Sequence, residues 1–128
     1  MPIARVSLVA GCLLGGIAVA AGAFGAHGLQ TTLAATGRAD NWETACRYGM
    51  DHALALVATG LLAARSRSPA TLLATTTACF AAGITIFCGG LAALALSGWK
   101  PLGAIVPIGG VLLIAGWALL TTAASRIR

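Results

Sequence analysis

The residues best suited to chemistry lie close together in a chain of which only 9% of the residues are charged. They are polar or ionisable, and at 100° per residue they share one half of a helix. They are Glu43, Thr44, Arg47, Tyr48, Asp51 and His52. Because Arg47 lies four residues from Glu43 and four from Asp51, we expect it to bridge both carboxylates within the helix.

An apolar stretch that ends at Ala64 follows these residues. Counting back about 20 residues, the length that crosses a bilayer, places Arg47 at the outer rim and Asp51 and His52 several ångströms inside the hydrocarbon. Because charges at that depth cannot face lipid cheaply, we expect them to point into the protein, towards one another and towards His27. These side chains form the candidate polar cluster: His27, Glu43, Arg47, Tyr48, Asp51 and His52.

Composition predicts where such a cluster would be held. The chain has 128 residues, of which 59% are hydrophobic, so it lacks the polar surface of a soluble domain. Four apolar windows are long enough to cross a bilayer, at about residues 6–26, 44–64, 70–96 and 103–124. We therefore predict an all-α membrane protein, with residues 1–128 forming a single domain of four transmembrane helices in a compact bundle.

Two short patterns near the N-terminus offer an alternative for the first window. Leu8–Cys12 resembles a lipoprotein cleavage box, and Ala18-Val19-Ala20 resembles a signal-peptidase site. The apolar stretch before Cys12 is short for a signal core, and the apolar run continues past both patterns. We therefore expect the first span to be retained.

The basic residues predict the orientation in the membrane. Five of them flank one side of a four-span chain, and three flank the other. The first group is Arg5, Arg65, Arg67, Arg126 and Arg128, and the second is Arg38, Arg47 and Lys100. This asymmetry favours both termini in the cytoplasm. Because the net charge of +5 is scattered over span ends, it does not predict a nucleic-acid partner.

Small residues recur at helical spacing within the predicted spans. The first span carries Gly11, Gly15, Ala18, Gly22 and Gly25 along one stripe. In lipid, small residues let helix backbones approach closely enough for van der Waals contact. We therefore predict helix packing at Gly11, Gly15, Gly22, Gly25, Gly83, Gly90, Gly109 and Gly110.

The four cysteines do not predict a metal site or a disulfide. Cys12, Cys46, Cys79 and Cys88 form no Cys-x-x-Cys pair and have no Cys–His spacing typical of zinc. We expect buried single thiols, no metal and no cofactor.

Several ordered motifs resemble a known family. They are GAFGAHGL at residues 22–29, Trp42-x-Thr44-Ala45-x-x-Tyr48-x-x-x-His52-Ala53-Leu54, Phe87-x-Gly89 with Leu91, and Pro107-Ile108-Gly109-Gly110 with Gly116-Trp117. This set resembles domain-of-unknown-function family 423, which includes proteins similar to transmembrane protein 256. The resemblance implies a small four-helix protein of the bacterial inner membrane and implies no substrate. Where the family usually has two serines and a tyrosine, this chain has Cys88, Gly90 and Ala92, so no role of those hydroxyls is carried over.

Three functional hypotheses fit these residues. The first is a non-enzymatic membrane protein that assembles with itself or serves as an accessory subunit of a larger complex, because no nucleophile–base or metal set is recognisable. The second is a proton or small-solute pathway through Arg47, Asp51 and His52. The third is an enzyme acting on a lipid, which ranks last because adjacent residues of one helix point about 100° apart.

Overall fold

The computed structural model describes residues 2–65 and 67–127, and these residues are helical apart from short turns. The prediction of an all-α protein is therefore confirmed. The five α-helices are α1 (Pro2–His27), α2 (Gln30–Thr36), α3 (Ala39–Arg65), α4 (Ala70–Ser97) and α5 (Val106–Ala124), with a 3-10 helix at Lys100–Ala104 before α5.

Three segments of the described chain are long and apolar enough to cross a membrane: Pro2–His27, Ala70–Ser97 and Lys100–Ala124. They correspond to the first, third and fourth predicted windows. The segment predicted at residues 44–64 falls within α3, which has 27 residues and is about 40 Å long. Helix α3 is less apolar than these three segments, because the polar cluster lies in its first half.

Glycine and proline set the helix ends. Gly37 and Gly98 have positive φ angles of 64° and 69°, and their backbone N–H groups bond to the last turns of α2 and α4. Pro69 directly precedes α4, and Pro107 lies in the first turn of α5, where a missing N–H costs nothing. These short turns make α3, α4 and α5 run antiparallel in succession.

The long helices pack in the order α1, α3, α4 and α5, and we call this arrangement the row. Helix α1 packs mainly on α3, α3 on α4, and α4 on α5, with smaller contacts of α1 with α4 and of α3 with α5. In the part of the chain that is described, no Cα atom of α1 lies within 8 Å of a Cα atom of α5. The close glycine contacts join α1 to α3 and α4 to α5, and the compact bundle of four transmembrane helices stays a prediction.

The α1–α3 contact is a backbone-to-backbone approach. A Cβ atom added at Gly11 would lie 2.8 Å from the carbonyl oxygen of Ala53 and 2.9 Å from the amide nitrogen of Val57. A second close approach lies nearer the N-terminus of α1. A Cβ atom added at Gly60 of α3 would lie 2.9 Å from the carbonyl oxygen of Ala4. Only glycine leaves room for the facing helix at these two positions.

The other candidate packing glycines occupy different environments. Gly109 faces the backbone of Phe87, and added Cβ atoms at Gly83 and Gly90 would lie 2.5 Å from Leu113 Cδ2 and 3.0 Å from Val106 Cγ2. The nearest atoms to the Cβ positions of Gly15 and Gly110 lie at 3.7 Å and 3.6 Å, which are ordinary van der Waals distances. Gly25 lies against the Trp42 indole. Gly22 packs against no helix, since no atom lies within 4 Å of its Cβ position and it lines a cavity beside α2 instead.

Buried hydroxyls add contacts between helices. The Ser7 and Thr77 hydroxyls lie 2.7 Å apart and join α1 to α4. The Ser68 hydroxyl donates to the carbonyl oxygen of Ala123 at 3.1 Å, which fastens the α3–α4 turn to the end of α5. Because such groups have no water to bond in a membrane, pairing between helices stabilises their relative positions.

Candidate functional site

The antiparallel row gathers the basic residues predicted to share one side. The start of α1 lies beside Gly60 near the end of α3, and Ser68 bonds to the end of α5. Arg5, Arg65, Arg67 and Arg126 are therefore at one end of the row, while Arg128 lies outside the described residues. His27, α2, Arg38 and Lys100 are at the opposite end.

The polar half of α3 extends to the middle of this row. The Cβ position of Gly15, a central residue of α1, lies 3.7 Å from Ala53 Cβ and 3.9 Å from Met50 Sδ. Asp51 and His52 fall between Met50 and Ala53. Their level is thus halfway along α1.

Three charged side chains of α3 are exposed rather than buried against the other helices. Glu43, Arg47 and Asp51 are exposed, and they share one stripe of α3 with exposed apolar residues nearer its C-terminus. We call this stripe the outer face of α3; it comprises Glu43, Arg47, Asp51, Leu54, Ala58 and Leu61. Helices α1 and α4 make most of the contacts with the remaining faces of α3.

The prediction that the deep polar groups turn into the protein is therefore wrong for Asp51, which is exposed, while His52 is buried. Helix α3 packs through small and apolar residues such as Ala45, Gly49 and Leu56, which are buried. Since Asp51 and His52 are adjacent and point about 100° apart, the packing that buries His52 leaves Asp51 outside.

The expected bridge through Arg47 is also absent. Among the described residues, no carboxylate oxygen of Glu43 or Asp51 lies within 4.0 Å of the Arg47 guanidinium nitrogens. An exposed arginine loses side-chain entropy when it is held in one geometry, and an exposed pair gains little in return. The three charges on the outer face thus have no ion-pair partner among the residues that the structure describes.

His52 is the member of the cluster that the fold encloses. Its side chain is 7% exposed, and its Nδ1–H donates to the carbonyl oxygen of Tyr48 at 2.7 Å. With the proton on Nδ1, Nε2 is the ring's hydrogen-bond acceptor. The Nδ1 atom of His52 is therefore held by this bond, and Nε2 has no hydrogen-bond partner among the described residues.

Aromatic rings surround His52 on three sides. Its ring centroid lies 5.8 Å from Tyr48, 6.0 Å from Phe80 and 6.0 Å from Trp117. Trp117 is also edge-on to Phe80 at 5.5 Å, which brings α3, α4 and α5 together at this level. Phe80 and Trp117 are not members of the candidate polar cluster, although aromatic residues are only 5% of the chain and these two are therefore conspicuous in the sequence.

His27 does not join the rest of the cluster. It is exposed at the end of α1, where neighbouring Gly25 lies against Trp42. His52 follows Trp42 by ten residues, which is about 15 Å along α3. The expectation that Asp51 and His52 point towards His27 is corrected, because the two histidines lie at different levels of the row.

Two cavities flank the start of α3. An apolar one of about 240 Å³ lies between α1, α3 and α4, and a larger one of about 550 Å³ lies between α1, α2 and α3. Trp42 and Cys46 line both cavities, and Gln30, Glu43 and Arg47 line the larger one. The indole N–H of Trp42 donates to the carbonyl oxygen of Ala21 at 3.0 Å and holds the side chain between α1 and α3.

The described residues include no group of three His, Cys, Asp or Glu side chains that could hold a metal ion. The four cysteines are free thiols, of which Cys88 is buried, and the expectation of burial is wrong for Cys12, which is exposed.

Comparison with known proteins places the chain in a family. Residues 21–110 match the family described as protein of unknown function DUF423. A UPF0382 membrane protein of Staphylococcus saprophyticus is 38% identical over 96% of this chain and 99% of its own length. The UPF0382 inner membrane protein YgdD of Escherichia coli is 36% identical over 97% of this chain and 92% of its own length.

No solved structure matches the chain. The relatives extend over nearly its whole length, and the matched region runs from the end of α1 to the beginning of α5. The resemblance seen in the motifs is thus confirmed, and the chain belongs to the DUF423 family of membrane proteins.

Proposed function

We propose that α1, α3, α4 and α5 all span the bacterial inner membrane, with both termini in the cytoplasm. Three of these helices have the necessary length and apolarity, and α3 lies between two of them. Arg5, Arg65, Arg67 and Arg126 at one end of the row support this orientation, because basic residues are retained on the cytoplasmic side. The relative in Escherichia coli is named an inner membrane protein.

We propose further that the protein is not an enzyme and acts by assembling with protein partners, as a homo-oligomer or as a subunit of a larger complex. The observation that carries this proposal is the outer face of α3, where Arg47 is exposed and Asp51 is exposed at the level of the α1 midpoint. Lipid covers such charges only at a large free-energy cost. A protein surface that pairs with them removes that cost.

The test is affinity purification of the tagged chain in native lipid, followed by mass spectrometry. We expect a stoichiometric partner, either another protein or an untagged copy of the chain. Replacing Glu43, Arg47 and Asp51 together by Leu should abolish the association, because the outer face then suits lipid. Leu replacement of the exposed residues Thr121 and Thr122 on α5 is the matched control, and it should leave the partner bound.

Recovery of a monomer without any partner from native lipid contradicts the assembly role. Retention of the partner by the triple Leu variant contradicts the assignment of the role to the outer face.

A second candidate function is a proton pathway, favoured by the free Nε2 of His52 at the middle of the row. Asp51 lies beside it in sequence on the outer face. This function predicts that liposomes containing the protein conduct protons and that His52→Ala and Asp51→Asn each abolish the flux. Equal flux in protein-containing and empty liposomes, with the protein folded, removes this candidate.

A further inference from the structure

We propose that the outer face of α3 is covered by the same face of a second copy of this chain, with Arg47 of each copy paired with Asp51 of the other. This inference rests on the proposed assembly function and names its partner. It makes the charged site complete only in the pair, because neither Arg47 nor Asp51 has a partner within one described chain.

The orientation of the two copies follows from their insertion. All copies of one chain insert with the same end in the cytoplasm when the basic residues at that end determine the topology. Two outer faces can then meet only with their α3 helices parallel, around a two-fold axis along the membrane normal. Equal residues therefore lie at equal depth in the two copies.

The spacing of the charges suits this parallel arrangement. Arg47 lies one turn of about 6 Å from Asp51 along the axis, and helices in contact are about 8–10 Å apart. A long guanidinium side chain can therefore lean by one turn and reach Asp51 of the second copy. The two-fold axis repeats this pair, so the two deepest acidic groups and the two arginines neutralise one another. Glu43 lies two turns above Asp51, nearer the end of the row where water can solvate it.

The remainder of the outer face suits close packing of two helices. Leu54, Ala58 and Leu61 are exposed at spacings of four and three residues. The small side chain of Ala58 lies between the two leucines and lets the helices approach. The outer face of α3 thus has an apolar cytoplasmic half and a charged outer half. Across the two-fold axis, the apolar half of one copy meets the apolar half of the other, and the charged half meets the charged half.

A second copy fits this face better than lipid does. Lipid chains leave the buried charges unpaired, which is costly. The outer face carries both signs of charge on one stripe, so an identical face in parallel register supplies the opposite charge one turn away. The charge pattern of the outer face therefore favours a second copy of this chain as the partner.

The first experiment is disulfide cross-linking in native membranes. Cys12, Cys46, Cys79 and Cys88 are replaced by Ser or Ala, and single cysteines are introduced as Leu54→Cys or Ala58→Cys. The control is Ile114→Cys on α5, where the native side chain is 72% exposed on a different face of the row. We expect oxidation to give a covalent dimer from at least one outer-face cysteine and only monomer from the control. Equal yields from all three variants, or monomer from both outer-face variants, overturn the proposal.

The second experiment tests the charge pairing in whichever outer-face cysteine background cross-links. Arg47→Asp should reduce the dimer yield about tenfold, because each copy then presents only acidic groups. Adding Asp51→Arg to that variant exchanges the two charges and should restore the yield to within about twofold of the parent. Because the double variant restores the pair, poor folding of the single variant does not decide the outcome. An unchanged yield in Arg47→Asp, or no rescue by the exchange, overturns the Arg47–Asp51 pairing.

The outcomes separate this inference from the broader proposal. Capture of a different protein through the outer face, without self cross-linking, overturns the homodimer and leaves the assembly function standing. Absence of both cross-linking and any captured partner overturns both.

Discussion

Replacing Gly11 by Leu is expected to separate α1 from α3. The first added atom, Cβ, would lie 2.8 Å from the Ala53 carbonyl oxygen and 2.9 Å from the Val57 amide nitrogen. Both neighbours are backbone atoms of a helix and cannot turn aside as a flexible side chain can. We expect a loss of about 3 kcal/mol in the free energy of unfolding, at the upper end of overpacking effects, because two helices must move apart.

The measurement is reversible unfolding in mixed detergent micelles, with Gly16→Leu as the matched control. Gly16 is exposed on the same helix, and no atom lies within 4 Å of its Cβ position. Its replacement should change the free energy of unfolding by about 0.5 kcal/mol or less, apart from a small gain in helix propensity. Gly22→Leu should behave in the same way. Coinciding unfolding curves for Gly11→Leu and Gly16→Leu would show that the close α1–α3 approach does not stabilise the fold.

Replacing Phe80 by Ala is expected to destabilise the opposite side of the row, where α3, α4 and α5 meet. The Phe80 ring is fully buried, and it contacts the rings of His52 and Trp117. A Cβ atom at Gly116 would lie 2.7 Å from that ring, so α5 rests directly on it. Removing the ring leaves a cavity bounded by three helices, because a rigid packed row cannot close around it completely.

We expect a loss of about 3 kcal/mol in the free energy of unfolding, near the lower end for Phe→Ala, because lipid solvates apolar groups as well as the protein interior does. Trp117 fluorescence provides the readout, since its indole is edge-on to the deleted ring. Phe24→Ala is the control, because the Phe24 side chain is 64% exposed at the end of α1. A loss as small as that of the control would mean that Phe80 does not hold α5 in place.

Loss of the helix contacts at Gly11 or Phe80 would also affect the outer face of α3. Gly11 fixes the side of α3 that meets α1, and Phe80 packs beside His52 on the side that meets α4. Together these contacts determine which residues of α3 remain outside. The proposed assembly therefore depends on how α3 is rotated about its own axis against α1 and α4.

The helices themselves were determined by local properties of the sequence. The predicted windows at residues 6–26, 70–96 and 103–124 lie close to Pro2–His27, Ala70–Ser97 and Lys100–Ala124. Apolar run length predicts such helices well, because a backbone without water must satisfy its hydrogen bonds within each segment. Glycine and proline at the ends of the runs mark the turns for equally local reasons.

The members of the polar cluster on α3 were also identifiable from residue type and spacing. Ionisable groups in an apolar chain are few, and the 3.6-residue period places Glu43, Arg47 and Asp51 on one stripe whatever the surroundings. The family motifs also predicted that the chain belongs to DUF423, and the comparison confirms this.

Only the tertiary structure decided which way that stripe faces. A helical wheel gives the angles between side chains but leaves free the rotation of the helix against its neighbours. That rotation is determined by backbone approaches at Gly11 and Gly60 and by the burial of His52 against Phe80, which involve residues far apart in sequence. These contacts bury the histidine and leave Asp51 outside, because two adjacent residues of one helix cannot both face α4.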